Sequence, residues 1–548
     1  MFEKECLFEI SWEVCNKVGG INTVISSKSA NIQKYFPNYF LVGPYFKSSE
    51  NECIIENVPQ QFSVIYNELK SIGIVLHFGT WLIKGNPKVI LVEYLNYAHN
   101  LNEIKGKLWE HFKIDSLNSS WYDFDEAILW SWACGVAIEK LSVNYDSVYV
   151  HAHEWMSGGA IFYNKIANNT KARTIFTTHA TMLGRALSSN GFNIYHNLEN
   201  VDFDKKAYEI GVHTKHQTEK ALANISDSFT TVSNITDDEA LKFYGKACDV
   251  ILYNGFDNSF ISDFESLNKG YDVSRDKLVE FTNGYFGDFY DFDSKNSMLL
   301  FTSGRNEFKN KGDDILISSL GKLNEYMKDK NFEGTLVSFF LVPIGEFERD
   351  ELVINSFENY KKKVQRKINK SYAPLSTHKL PFENPFIKAC FENKLFNNKE
   401  DKVKVIIVPV YLNGNDGFFN RDYYDVTRGF DLSVFASSYE PWGYTPLESI
   451  SYAVPTVTSD LAGFGRYINL NYNRKNAVKV LKRENVSFEK SSDELFNYIL
   501  NFFYQNKEDY IKLKEEAKTL ALNFDWKEFI KNYLKAYEIA DKRQESRD

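Results

Sequence analysis

A chain of 548 residues is too long for one hydrophobic core and calls for two or more domains. With 43% hydrophobic and 25% charged residues, net charge −9 and no long basic block, it reads as an ordinary globular protein, and nucleic-acid or acidic-membrane partners are disfavoured. No stretch approaches the roughly 18 uninterrupted apolar residues of a membrane span. The start, MFEKECLFEISWEV, sets two glutamates and a lysine ahead of any apolar run, unlike a signal peptide. Cys6, Cys15, Cys53, Cys134, Cys248 and Cys390 are scattered without CxxC spacing, which points to a reduced, cytoplasmic setting. The 16% aromatic content would suit stacking on sugar rings, or equally reflect compositional bias.

In chain order, EISWEVCNKVGGINTV reads as a strand, then Lys17, Gly19 and Gly20, then a helix. Paired glycines let backbone approach a ligand and the lysine adds a point charge, although a plain tight turn explains the motif as well. Strand-like runs follow at 40–45, 74–78, 88–95, 147–153, 174–180, 229–233 and 250–254, with helical patterns at 125–141 and 214–226 between them. In HAHEW, His151 and His153 share one strand face; a metal site competes there with structural or substrate-lining roles, and no matching ligand spacing appears. In TTHATMLGRAL, His179 and Arg185 stand just beyond a strand.

A polar, aromatic segment near 256–297 reads as the linker to a second series at 298–305, 335–343, 404–412, 432–438 and 454–460. Alternation of this kind predicts an α/β chain with two doubly wound, parallel-sheet domains facing each other across a cleft. The boundaries expected are 1–255, 256–524 with an insertion at about 344–400, and a C-terminal helix within 525–548 packing back on the first domain. The Lys-rich run ENYKKKVQRKINK in the insertion reads as a solvated helix face or an oligomer contact. The DFD triplets at 123–125 and 291–293 are read as chance in an Asp-rich chain rather than metal motifs.

Two places in the second series carry chemistry. SGRNEFKNKG sets Arg305 and Lys311 after a strand and ahead of a helix, an arrangement suited to a diphosphate. SYEPWGYTPLES reads as a strand end, a tight turn, and a helix with Thr445 as N-cap and Pro446 at its first position. Glu448 is then either the partner in a capping box or a ligand contact. Glu440 has no capping role and sits where open α/β sheets bind ligands.

Together FEISWEVCNKVGGINTV, NYFLVGPY, HAHEWMSG, TIFTTHATMLGR, FTTVSNIT, GRNEFKNKG, RGFDLSVFASSYEPWGYTPLES, SDLAGFG and the late FDW closely resemble the glycogen synthases of the animal and fungal type. That resemblance implies the GT-B fold and a retaining transfer of glucose from a nucleotide-glucose donor, usually UDP-glucose, to the non-reducing end of an α-1,4-glucan, without a metal or other cofactor. It implies that Arg185, Arg305 and Lys311 bind the diphosphate, helped by backbone N–H groups of Gly443, Tyr444 and Thr445 in the turn that also holds Trp442. Glu440 would lie beside the glucose, His179 would contact the glucose or reacting centre, and Glu448 would accept from the ribose. Tyr423 would stack on uracil with Tyr411 nearby, and Lys17, Gly19 and Gly20 would close over the donor. Of the family's Pro-Asn-Gly near the linker only Asn254 and Gly255 carry over, after Tyr253. The insertion is shorter than in the family, which bears on its homotetramer. The family's arginine-rich helix for glucose 6-phosphate has lysines here at Lys507, Lys512, Lys514 and Lys518, so little or no activation by that sugar is expected. Rival readings are a GT-B transferase with another donor or acceptor, such as ADP-glucose or a small sugar, and a catalytically silent glucan-binding protein.

Overall fold

The computed structural model describes residues 4–192, 194–195, 201–260, 263–291, 296–364, 371–472 and 476–546. Phe292 and Asp293 of the second DFD triplet, residues 365–370 of the Lys-rich run and the last two residues lie outside them. The chain divides into two compact units: Met1–Asn190 with Asn197–Asp257 and Phe524–Asp548, and Gly191–His196 with Asn258–Asn523.

The first unit is built on nine strands: β1 (Glu5–Ile10), β2 (Asn38–Pro44), β3 (Cys53–Ile55), β4 (Val75–Trp81), β5 (Lys88–Glu93), β6 (Ser147–His153), β7 (Ala172–Thr178), β8 (Ser228–Thr231) and β9 (Val250–Ile251). Their order is β3-β4-β5-β2-β1-β6-β7-β8-β9. The run from β5 to β9 is parallel, as the alternation with helices requires. One edge departs from the parallel expectation, because β3 pairs β4 and β4 pairs β5 antiparallel. For β4 and β5 the reason is length: only residues 82–87 join them, and a parallel crossover needs about a dozen residues.

The second unit has six parallel strands: β10 (Ser297–Ser303), β11 (Thr335–Leu341), β12 (Val403–Val408), β13 (Leu432–Val434), β14 (Thr456–Ser459) and β15 (Val478–Leu481), in the order β12-β11-β10-β13-β14-β15. Its central strands are largely apolar and buried because both faces are covered. Met298, Leu300, Leu336, Phe340, Val405 and Ile407 pack into one core, while their neighbours Leu299, Phe301, Val337, Phe339 and Ile406 pack into the other. The segment read as an insertion completes both cores: Phe386 and Cys390 enter the first and Val353 and Ala373 the second. It carries helices Glu351–Lys361 and Pro385–Glu392, and only the start of the Lys-rich run is helical among the described residues.

In the parallel part of each sheet the strand order reverses at one place, between β1 and β6 and between β10 and β13. Such switch points are where open sheets leave a crevice at the carboxyl ends of their strands. KVGG follows β1, HAHEW ends β6, Arg305 follows β10 and Glu440 follows β13. Topology alone therefore gathers the polar motifs.

The final helix, Trp526–Glu545, belongs to the first unit. Trp526 is fully buried, donates from its indole N–H to Ser27 Oγ at 2.8 Å, and leaves no room for a Cβ at Gly255, which would lie 2.7 Å from the ring. Arg543 holds the other end by pairing with Asp249. Trp526→Ala should destabilise the first unit by about 3–5 kcal/mol, read as a lower midpoint of its chemical unfolding; an unchanged midpoint would mean the helix is not part of that core.

Candidate active site

In the second unit the loop after β10 and the loop after β13 are stitched together through backbone. The carbonyl of Asn310 accepts from Ser438 N at 2.9 Å and Tyr439 N at 3.3 Å, and Ser438 Oγ donates to the carbonyl of Lys309 at 2.9 Å. Gly312 makes this approach possible. It sits at φ +75°, and a Cβ there would come within 1.9 Å of the Ala436 carbonyl oxygen. The result is an ion pair between Lys311 Nζ and Glu440 Oε2, with both side chains largely buried. Arg305 is more open and pairs with Glu307 at 3.0 Å.

The turn from Glu440 to Gly443 is pinned on its other side by the SDLAGFG loop. Gly463 N donates to the carbonyl of Glu440 at 2.9 Å and Phe464 N to that of Trp442 at 2.7 Å. Trp442 is buried edge-on to Phe464 and Tyr467, so it supports the turn from behind. The helix that follows is Tyr444–Ser451 with Gly443 at φ +99° as its N-cap and no side-chain cap. The expectation of Thr445 as N-cap is therefore corrected, and so is the capping box. Glycine takes that left-handed cap without strain, and it starts the helix two residues early. Glu448 accepts instead from Tyr424 Oη at 3.0 Å.

Tyr423 bonds Ser303 Oγ at 2.7 Å, and Tyr424 stacks on Tyr452 with ring centres 5.2 Å apart. Tyr423, Tyr424, Glu448 and Tyr452 line one small hollow beside the end of β10. Burial, and then the Glu448 charge, push the Tyr423 phenol up, so it stays protonated as a hydrogen-bonding group. Tyr411 is 73% exposed and does not line that hollow. Sequence reading missed Asp313, the buried first residue of the helix after Lys311. Burial and the neighbouring Asp314 push its carboxyl up, and only Lys311 and a bond to Thr302 oppose them.

In the first unit the glycine pair meets a carboxylate of its own chain. Glu13 Oε2 accepts from Gly19 N at 2.8 Å and Asn22 N at 2.9 Å, so the first turn of helix Gly20–Ile32 already holds an anion. Lys17 is exposed beside it. Asn254 is buried and Gly255 lies under Trp526, which gives both a place in the core next to the final helix.

His179 precedes helix Met182–Ser189 and Arg185 sits in its first turn; the entry of this helix is held by three acids. Glu154, at φ +65°, accepts from His179 N at 2.8 Å and Ala180 N at 3.0 Å. Glu219 accepts from Met182 N at 3.0 Å, and Glu239 from Thr181 Oγ1 at 2.6 Å. Burial pushes the Glu154 carboxyl up to about 7, against the pull of the Arg185 charge. Burial also pushes Glu219 well up.

Behind this loop lies a buried cluster. Glu9 Oε1 bonds Lys28 Nζ and, at 2.6 Å, His153 Nε2, while Tyr39 Oη donates to Glu9 Oε2 at 2.5 Å. Burial raises the Glu9 carboxyl, but Lys28 and His153 outweigh it and hold it well below the usual range. Glu9, His151 and His153 have metal-ligand spacing. Lys28 already supplies the cation, and a metal entering there would face its ammonium group. Neither Glu9 nor Lys28 was singled out from sequence, since each sits in an unremarkable strand or helix.

Because Glu154 protonates near neutrality, its burial costs nothing below the ordinary carboxylate range and costs progressively more as pH rises towards 7. Glu154→Gln keeps an oxygen for both N–H groups. Its melting temperature relative to the parent should therefore improve from pH 5 to pH 8; a difference that is flat or falls with pH would contradict this account.

Compared with known proteins, the chain matches the glycogen synthase family model over residues 9–353 and 347–546. It is 31% identical to glycogen [starch] synthase isoform 1 of Saccharomyces cerevisiae across 99% of this chain and 86% of that protein. It is also 31% identical to the liver glycogen [starch] synthase of Homo sapiens, across 96% and 82%. Among solved structures, the catalytic domain of starch synthase IV from Arabidopsis thaliana, bound to ADP and acarbose, superposes with a TM-score of 0.51 at 13% identity, covering 99% of both chains. An E. coli trehalose-6-phosphate structure bound with UDP-2-fluoro glucose gives 0.52 at 10%, covering 97% of this chain and 98% of that one. These likenesses are of fold, and the fold is GT-B. By its match over nearly the whole length, this chain belongs to the glycogen synthase family.

Proposed function

We propose that the chain transfers glucose, with retention, from UDP-glucose to the non-reducing end of an α-1,4-glucan in the cytoplasm, and needs no metal to do so. The observation that carries this reading is the Lys311–Glu440 pair at the switch point of the second unit, beside the Tyr424–Glu448 hollow. Breaking a glycosyl–phosphate bond builds negative charge on the diphosphate and positive charge on the anomeric carbon. A fixed ammonium and a fixed carboxylate in contact offer one stabilising group to each. Arg305 extends the cationic side, and the N–H groups of Gly443, Tyr444 and Thr445 add dipoles. Glu448 takes the ribose hydroxyls and Tyr423 the base, with Tyr411 as a second aromatic. From the first unit, Arg185 adds charge for the diphosphate and His179 meets the glucose; Lys17, Gly19, Gly20 and Asn254 complete the donor set. Retention follows from attack on the face that the departing phosphate leaves. A homo-oligomer, the tetramer of the family, fits this reading without being required by it.

Two experiments test it. Glu440→Ala should lower turnover by about a hundredfold or more with donor affinity nearly intact, and a fully active variant would remove Glu440 from the reaction. With glycogen as acceptor, UDP-glucose should be turned over in preference to ADP- and GDP-glucose; preference for either rival would overturn the donor assignment.

Control by glucose 6-phosphate is disfavoured by the fate of the lysine-bearing helix, Lys507–Ala521. Lys514 is buried with its ammonium 3.6 Å from the centre of the Tyr271 ring, and burial pushes it down to about 8. Tyr271 and Arg275 are in turn both bonded to Asp431 at 2.8 Å. Lys514 is thereby committed to the core, and the remaining Lys507, Lys512 and Lys518 are point charges that lack the planar guanidinium fork for a phosphate. Adding glucose 6-phosphate should leave the rate unchanged, and a several-fold rise would contradict this.

A further inference from the structure

The buried cluster under His179 has a consequence for the reaction. His153 Nδ1 lies 2.8 Å from His179 Nε2, and His153 Nε2 lies 2.6 Å from Glu9 Oε1. All three side chains are buried, with His179 the most accessible at 8%. Glu9 is ionised and already neutralised by Lys28, so a second cation on His153 would leave net charge in a dry core. Burial accordingly holds His153 neutral despite its acidic neighbour. A carboxylate can only accept, so the single ring proton of His153 must be on Nε2. Its Nδ1 is then an acceptor, and the bond to His179 exists only if His179 carries its own proton on Nε2. That leaves the Nδ1 lone pair of His179 uncommitted among the described residues.

We propose that Glu9 and His153 are positioning residues that lock His179 into the Nε2–H tautomer, so that it presents a hydrogen-bond acceptor to a sugar hydroxyl. Lys28 supplies the charge that keeps Glu9 an acceptor. Tyr533, whose ring lies 4.8 Å from the Lys28 ammonium, and Tyr537, 3.0 Å from His151 Nδ1, seal the cluster from the C-terminal helix. The other ring nitrogen setting the tautomer of a working histidine is a general device. Glu154 adds to it by gripping the His179 backbone N–H, which fixes where the ring begins. This inference rests on the role given to His179 under the proposed function.

The test uses the full chain with its ten histidines labelled with ¹⁵N, the His179 signal being identified by its loss in His179→Ala. Near neutral pH, His179 in the parent protein should show a protonated Nε2 and an unprotonated Nδ1; the reverse tautomer or an imidazolium would overturn the proposal, with no variant needed. His153→Phe removes the acceptor, so His179 should sample both tautomers and kcat/KM should fall about tenfold or more with UDP affinity unchanged. His153→Asn restores an oxygen near the Nδ1 position and should recover both the tautomer and much of the rate. A purely structural His153 would instead lower the melting temperature without moving the tautomer. An active parent whose His153→Phe variant is equally active sinks this proposal alone, whereas a parent that transfers no glucose from any nucleotide sugar sinks the functional reading beneath it.

Discussion

Two backbone hydrogen bonds to one carbonyl, that of Asn310, set the geometry on which the donor side depends. They draw the loop after β10 against the loop after β13, and Gly312 permits the approach because any Cβ would strike Ala436. Lys311 and Glu440 are 129 positions apart in sequence and meet for that reason. The pair is also held from its far side by bonds between the Glu440–Trp442 turn and the loop at Gly463 and Phe464. Opposite charges fixed by backbone rather than by flexible side chains lose little entropy when a ligand arrives and reorganise little as charge develops.

The first unit solves a different problem, that of keeping carboxylates inside a protein. Glu13, Glu154 and Glu219 each accept backbone N–H groups at the start of a helix or loop, and Glu9 takes Lys28, His153 and Tyr39. Each carboxyl immobilises the donors it accepts from, which orders the loops that carry Lys17, His179 and Arg185. At Glu9 the partners also outweigh desolvation, whereas at Glu154 and Glu219 burial prevails and favours the protonated form. The glycine pair after β1 shows the limit of this economy. Its helix N-terminus receives the chain's own Glu13, and Gly20 remains the open position.

Much of this was legible in the residues. Apolar runs bounded by polar turns located the central strands of both sheets, and the motifs at strand ends fell at the two switch points because parallel topology puts carboxyl ends on one edge. What escaped reading depended on tertiary neighbours. The antiparallel β4–β5 pair turned on a connection length rather than on either strand's composition. The start of the helix at Tyr444 was decided by the φ of Gly443, which a Thr-Pro-Leu-Glu pattern does not reveal. Glu9, Glu13, Lys28 and Glu154 carry no local signature, since their meaning comes from partners reached only through folding. Trp442 read as part of a binding turn, and its burial against Phe464 and Tyr467 makes it the prop of that turn.

The central claim is that a cation and a carboxylate in contact at the β10–β13 switch point divide the charge of a nucleotide sugar between them. A crystal structure of this chain with UDP tests it most directly. The account predicts Lys311 Nζ within roughly 3 Å of a diphosphate oxygen, with the ribose at Glu448. UDP seated elsewhere, with the diphosphate out of reach of both Lys311 and Arg305, would contradict it.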